Sequence, residues 1–103
     1  MVYNHKPAGG IQIISDTDQH QLAAVSDAYF EIRIQNRAHD NQNNATNGDS
    51  ILIGTREQLV YELLSGDELK LYQIAPANLY FQQIGSASGF IVVAWIASGK
   101  VEL

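Results

Sequence analysis

The sequence contains no cysteine among its 103 residues. This absence excludes disulfide bonds, thiolate zinc sites and cysteine nucleophiles, and it leaves the redox compartment undetermined. Long hydrophobic runs are also missing, because the longest, residues 90–97, has eight residues. A membrane-spanning helix needs about 20. Residues 1–10 lack the basic start and apolar middle of a signal peptide, so we expect cytoplasmic synthesis and no membrane association.

Basic residues are scarce. Six Lys and Arg stand against eleven Asp and Glu, which gives a formal net charge of −5 and a pI near 4.9. A general nucleic-acid binder needs a basic face that displaces counterions, so this class is not expected. Apolar residues make up 46% of the chain, which is typical of one small globular domain rather than a disordered tail.

Alternation of apolar and polar residues dominates the chain. The clearest case is residues 29–35, where Phe30, Ile32 and Ile34 are assigned to one face and Tyr29 to the other. Such a pattern predicts a half-buried antiparallel strand. Similar short segments separated by turn residues are predicted as strands at 11–14, 21–25, 50–54, 58–64, 68–72, 79–84 and 90–97.

Seven or eight short strands with regular turn signals predict an all-β fold, either an antiparallel β-sandwich or a jelly-roll-like barrel. For the strand predicted at 58–64, the alternative is a helical turn within residues 55–64, because residues 55–58 suit a helix start. We predict two parts: an extended N-terminal arm at 1–10 and a single β-sandwich domain at 11–103. Pro7, Gly9 and Gly10 oppose both helix and ladder pairing in the arm.

The arm and the last strand are candidate contact segments. The arm either frays or becomes ordered on a neighbouring subunit. The last strand is apolar on both faces, so its outer face is either covered by the arm or a loop, or contacts another chain. The predicted partner contacts are Val2, Tyr3, Ile11, Ile91, Val93 and Trp95.

Catalytic and metal-binding patterns are weak. His5, His20 and His39 are isolated from one another, which disfavours a zinc site. Ser15 and Asp16 lie close to His20 in sequence, but no Gly-x-Ser-x-Gly elbow accompanies them. The oxygen-rich loop 40–49 has alanine where a calcium loop of the EF-hand type needs glycine. We therefore expect no enzyme, no metal and no cofactor.

Tyrosines accompanied by Glu and Gln offer a second possible role. Tyr side chains on outer strand faces can stack on sugar rings or anchor a protein contact, although half-buried strand residues are the simpler interpretation. In a carbohydrate- or receptor-binding module of a fibre, the contacts would come from Tyr29, Tyr61, Tyr72, Asn43 and Asn44.

Several short motifs occur in a fixed order over residues 29–97. They are IRIQN at 32–36, SILIG at 50–54, LLSGDEL at 63–69, NLYF at 78–81 and FIVVAW at 90–95. This order resembles small β-sandwich virion proteins of tailed bacteriophages. In that group a strand ending in Ile-x-Asn precedes a short Val-Tyr-Ile-Gly strand, a Leu-x-x-Gly turn, a Leu-Tyr strand and a hydrophobic last strand. The long segment 37–50 departs from the pattern.

The resemblance implies a non-enzymatic capsid decoration (cement) or head-fibre protein. Such a protein would bind the major capsid protein, sit in many copies or as a homo-oligomer on the capsid surface of the virion, and stabilise the assembled shell. Stabilisation would follow from mass action, because the protein binds assembled subunits and not dissociated ones. The resemblance carries no catalytic residues to transfer.

Overall fold

The computed structural model describes residues 2–4, 8–85 and 88–102, without the side chains of 2–4 and 102. Within these residues the chain forms nine strands and one 3₁₀ turn at Pro76–Asn78. The strands are β1 Val2–Asn4, β2 Ala8–Ile14, β3 Gln19–Gln21, β4 Tyr29–Arg37, β5 Ser50–Gly54, β6 Leu59–Leu63, β7 Glu68–Ile74, β8 Tyr80–Ile84 and β9 Ile91–Glu102.

The strands form two antiparallel sheets. The first has the order β2-β9-β4-β7, with β1 lying beside β9 on the same edge as β2, and the second has the order β3-β8-β5-β6. Strand β2 pairs with β9, β3 with β8, β4 with β7 and β5 with β6. The chain is therefore one long nested hairpin folded over into two layers, which is the jelly-roll arrangement. The prediction of an all-β antiparallel sandwich is confirmed.

The predicted N-terminal arm is largely strand. Residues Val2–Asn4 pair with Glu102 to Lys100, and Ala8–Ile14 pair with Ala97 to Ile91. The expectation that Gly9 and Gly10 oppose ladder pairing is wrong, because Gly9 lies opposite Ile96 and Gly10 opposite Trp95. A side chain at Gly10 would meet the Trp95 indole Nε1 at 2.9 Å, so the absence of a Cβ allows this close approach. Residues 5–7, including His5 and Pro7, lie outside the described residues.

The core lies between the two sheets. Its fully buried side chains come from β4, β5, β8 and β9, and the largest are Phe81, Ile32, Ile34, Ile51, Ile53, Ile91 and Val93. Over most of β4, β5 and β8, alternate residues point inward, as the alternating sequence requires. The 58–64 prediction is confirmed as strand β6, and Thr55 and Gln58 close the turn before it. The prediction of a strand at 21–25 is wrong, because β3 occupies Gln19–Gln21.

Near the start of β4, the alternation of inward and outward side chains is interrupted. Tyr29 is buried and Phe30 is 44% exposed, the reverse of the alternation predicted from sequence. The irregularity is shared by the neighbouring strands, because Gln73 on β7 and Gly99 on β9 both have positive φ at the same level. The ladders break there, so two consecutive residues face outward. Tyr29 therefore lies in the core, and the ring of Phe30 lies against that of Tyr72 at 5.8 Å.

Two buried polar side chains join loops to the core. Gln83 donates to the Asp16 carbonyl at 2.7 Å and accepts from Asn47 Nδ2 at 2.6 Å. Asn36 is fully buried and its Nδ2 donates to the carbonyls of Asp49 and Leu63. Buried backbone carbonyls need such donors, so both side chains hold turns at one end of the sandwich.

Candidate functional site

The face of β9 that points away from the core differs from the predicted one. Ile91, Val93 and Trp95 are buried in the core at 0%, 0% and 8% exposure, so their assignment as outward partner contacts is wrong. The outward residues of β9 are those of the other parity, among them Ala94 and Ile96. Both faces of β9 are apolar in sequence, so alternation identifies the two faces without saying which one is inside.

Of the remaining predicted contacts, Ile11 lies on the surface, with 48% exposure. The side chains of Val2 and Tyr3 lie outside the described residues. Ile13 and Ile96, which are 64% and 52% exposed, were not predicted as contacts. Ile13 has the same parity as Ile11, and that signal was present in the sequence.

These outward residues form one apolar stripe on the first sheet, defined as Ile11, Ile13, Ala94 and Ile96. Ile11 lies opposite Ala94 in the ladder, and Gly9 lies opposite Ile96. Directly opposed residues share a face, so the stripe is continuous across β2 and β9. Exposed apolar residues grouped in this way mark an interaction surface more strongly than scattered ones.

One end of the stripe is covered by the loop after β4. Val92 lies on the outer face yet is 1% exposed. Asp40, Asn41 and Gln42 line a depression together with it and with the stripe residues Ile11 and Ile13. The sequence left two alternatives for this face, covering by the chain itself or contact with another chain. The loop covers Val92, and the rest of the stripe is open in the described part of the chain.

The same face continues as a charged half on β4 and β7. Arg33 Nε donates to Glu31 Oε1 at 2.6 Å, and Glu68 Oε1 lies 3.9 Å from the same nitrogen. The hydrogen bond between Arg33 and Glu31 is the main cause that lowers the pKa of Glu31 and raises the pKa of Arg33. Lys70 stands opposite Arg33 in the ladder. The acidic and basic side chains of this charged half therefore largely neutralise one another.

Two shallow, open depressions lie where the apolar and charged halves meet. One, of about 200 Å³, is lined by Arg33, Gln35, Glu68, Ala94, Trp95 and Ile96. The other, of about 290 Å³, is lined by Glu31, Arg33, Ile96 and Ser98. Neither is an enclosed pocket, so this face suits a broad contact with another macromolecule better than the burial of a small ligand.

The residues of the sugar-binding alternative are not brought together by strand pairing. Tyr29 is buried at 5% exposure, so it cannot stack on a ligand at the surface. Tyr61 and Tyr72 are 53% and 56% exposed, but they lie on different sheets. Asn43 adopts a positive φ of 65°, which places it within a tight turn.

Asn44 belongs to that same turn after β4. Its backbone N–H and its Nδ2 both donate to the carboxylate of Asp40, and Gln42 adds another backbone donor. The backbone bond from Asn44 is the largest cause lowering the pKa of Asp40. The Asp40 carboxylate of the oxygen-rich loop therefore accepts hydrogen bonds from the backbone of its own loop. Within the described residues, no group of three or more His, Asp or Glu could hold a metal ion.

The Ser15, Asp16 and His20 segment forms a contact pair rather than a triad. His20 Nε2 lies 2.7 Å from Asp16 Oδ1, and its ring stacks on Phe81 at 5.7 Å. Among the described contacts, no hydrogen bond joins Ser15 to His20. His39 forms an isolated bridge with Ala45 far along the chain from His20.

In the part of the chain that the structure describes, no helix is long and apolar enough to cross a membrane.

The Asp16–His20 bond has a measurable signature. It is the main cause lowering the pKa of Asp16 below 3.8, its ordinary value. A lowered pKa in the folded state stabilises the fold above the ordinary pKa, and that contribution is lost as pH falls through the folded value. We expect His20→Phe, which keeps a ring on Phe81, to move the Asp16 midpoint up toward 3.8 in a ¹³C NMR titration. An unchanged midpoint would contradict this assignment.

Comparisons with known proteins give little. No family model and no curated protein matches the chain. Among solved structures, it is similar to a chain described under "Bacillus endospore appendages form a novel family of disulfide-linked pili". The TM-score is 0.45 and the identity 7%, over 96% of this chain and 90% of that chain. A likeness at this level carries no argument about function.

Proposed function

We propose that this protein is a non-enzymatic structural protein that attaches in many copies to a protein lattice through the outer face of its first sheet. The observation that carries the proposal is the apolar stripe on β2 and β9 beside the compensated charges of β4 and β7. In the specific form implied by the sequence resemblance, the lattice is the head shell of a tailed bacteriophage and the protein is a decoration protein on the virion surface.

The chemistry of the face supports a protein partner. Interface centres are apolar and bordered by polar groups, and the stripe with its flanking ion pairs has this layout. Strands β4 and β7 add basic side chains at Arg33, Arg37 and Lys70 and acidic ones at Glu31 and Glu68. The face therefore does not share the acidic excess of the chain, and repulsion between acidic surfaces does not oppose docking.

The shape of the face fits a repeated contact. A sheet face is rigid, so little conformational entropy is lost when it docks. Each docked copy stabilises the assembled shell by mass action, because it binds the assembled state and not the separated subunits. The sugar-binding alternative loses Tyr29 to the core and has its exposed tyrosines on separate sheets, so we do not propose it.

Removal of residues 1–10 would be a poor test of docking, because these residues supply strand partners to β9. A point variant on the face is cleaner. We expect Ile96→Glu to lower the occupancy of this protein on empty phage heads at least about tenfold, because a charge replaces an apolar anchor at the centre of the contact. Co-sedimentation of purified protein with heads of the phage that encodes it measures the occupancy.

The matched control is Leu64→Glu, since Leu64 is 54% exposed and Ile96 is 52% exposed. Leu64 lies after β6 and outside the stripe. It should keep the occupancy of the unchanged protein. Failure of the unchanged protein to sediment with heads would refute the decoration role, and equal binding by both variants would refute this face as the contact.

A further inference from the structure

The outer edges of the two sheets differ in how they are protected. An unpaired strand edge presents free N–H and C=O groups, and proteins protect such edges with charges, bulges or very short strands. Edge strand β7 carries Glu68 and Lys70 and has an irregular residue at Gln73. Edge strand β6 is interrupted by a register shift opposite Ile53, and edge strand β3 has three residues.

The β2 edge has none of these protections. Strand β2 has seven residues with the sequence AGGIQII, without charge or proline. It pairs with β9 on one side, and no described strand pairs with its other side. Because a strand directs its backbone groups alternately to either side, about half of those in β2 point away from β9. The Gln12 side chain leaves this edge open, because it donates inward to the carbonyls of Gln21 and Leu22.

The sequence of β2 is complementary to itself when it is reversed. If an antiparallel copy is centred on Ile11, each bulky residue of one half faces a small residue of the other half. Ile14 then faces Ala8, and Ile13 faces Gly9. Large side chains that face small ones leave each other room to pack. Only Ile11 meets its own equivalent, at the two-fold axis.

Charge does not oppose a second copy of this chain at this edge. The chain carries −5 overall, so two copies repel through most of their surfaces. Strand β2 has no charged residue, and the Asp40 carboxylate beside Ile11 and Ile13 accepts hydrogen bonds from backbone N–H groups of its own loop. We propose that the β2 edge pairs antiparallel with β2 of a second copy, which forms a symmetric dimer with one continuous sheet running through both subunits. This interface is isologous, so it closes at two copies.

The dimer would place two apolar stripes side by side. Ile11 and Ile13 lie on the outer face at the edge, so the stripes of both subunits would meet across the two-fold axis. A dimer with two docking faces on one sheet gains avidity on a repeating lattice. The pairing itself does not depend on the lattice-binding role.

A cysteine-free chain allows a direct test by single-cysteine crosslinking. Residues facing each other at the two-fold axis have Cα atoms about 4.5–5.5 Å apart, within the range of a disulfide. We expect Ile11→Cys to form a covalent dimer nearly completely under mild oxidation. Ile96→Cys, equally exposed on the same face but on β9, should stay monomeric under denaturing electrophoresis. Equal crosslinking of both variants, or of neither, overturns the proposal.

Sedimentation velocity over a concentration series gives the second readout. The unchanged protein and Ile96→Lys should both sediment as dimers, whereas Ile11→Lys places two like charges at the axis and should raise the dissociation constant of the dimer at least about threefold. Both positions are about half-exposed, so both variants should fold. A monomeric unchanged protein at millimolar concentration overturns the dimer. A dimeric Ile96→Lys that no longer binds heads separates the dimer from the docking face.

Discussion

Phe81→Ala is expected to lower the free energy of unfolding by about 3–5 kcal/mol. Phe81 is 1% exposed, and β8, which carries it, pairs with β3 on one side and β5 on the other. Its ring also stacks on His20. Truncation removes the buried ring and leaves a cavity that the two sheets cannot close without shifting their ladders. Since a domain of this size has a total stability of about 5–15 kcal/mol, the loss brings the fold close to its limit.

The measurement is urea unfolding followed by circular dichroism, with the slope of the transition compared among variants. Tyr61→Ala is the control, because Tyr61 is also an aromatic residue of the second sheet but is 53% exposed. It should cost less than about 1 kcal/mol. Equal losses for the two variants would show that the ring of Phe81 is not a central part of the core.

The strand segments of this fold were predictable because turn residues bracket them. Strand β5 has the bounds expected from sequence, since turn-forming polar residues precede it and Gly54 ends it. A Cβ on Gly54 would overlap the Gln58 carbonyl oxygen, so only glycine fits where the chain turns toward β6. Local chemistry of this kind is visible in the sequence. The pairing of β2 with β9, residues about 80 positions apart, is not.

The candidate site was predictable only in part for the same reason. Alternation shows that Ile91, Val93 and Trp95 share one face, but which face is inward depends on the second sheet. The parity change at Tyr29 depends on Gln73 and Gly99, which belong to two other strands. Ile11 was named as a contact because it adjoins the predicted arm, and alternation would have misplaced it, since the polar Gln12 donates inward while Ile11 is exposed.

Asn36→Asp is expected to destabilise the protein by about 3–5 kcal/mol at neutral pH, the cost of a buried charge without a partner. Asn36 is fully buried, and its Nδ2 donates to the carbonyls of Asp49 and Leu63. A carboxylate at this position would present a negative oxygen to both carbonyls. The other oxygen, Oδ1, has no partner in the described part of the chain, so nothing there compensates the new charge.

The loss should depend on pH with a definite sign. Burial raises the pKa of the introduced carboxyl in the folded state above its unfolded value near 4. The unfolded state then releases its proton first, so stability falls by about 1.4 kcal/mol per pH unit as pH rises from about 4 to the folded pKa. Below pH 4 the neutral acid can still donate one of the two lost hydrogen bonds, and the loss shrinks to about 1–2 kcal/mol.

Asn36→Ala separates the charge from the lost donor. It leaves the same two carbonyls without their donor but introduces no titrating group, so its difference from the unchanged protein should be constant with pH. Urea unfolding from pH 4 to pH 8 therefore gives a sloping difference between the Asp and Ala variants. A flat difference would mean that water or a moved loop reaches this end of the sandwich. In that case Asn36 would not be a solvent-excluded donor that binds the carbonyls of Asp49 and Leu63.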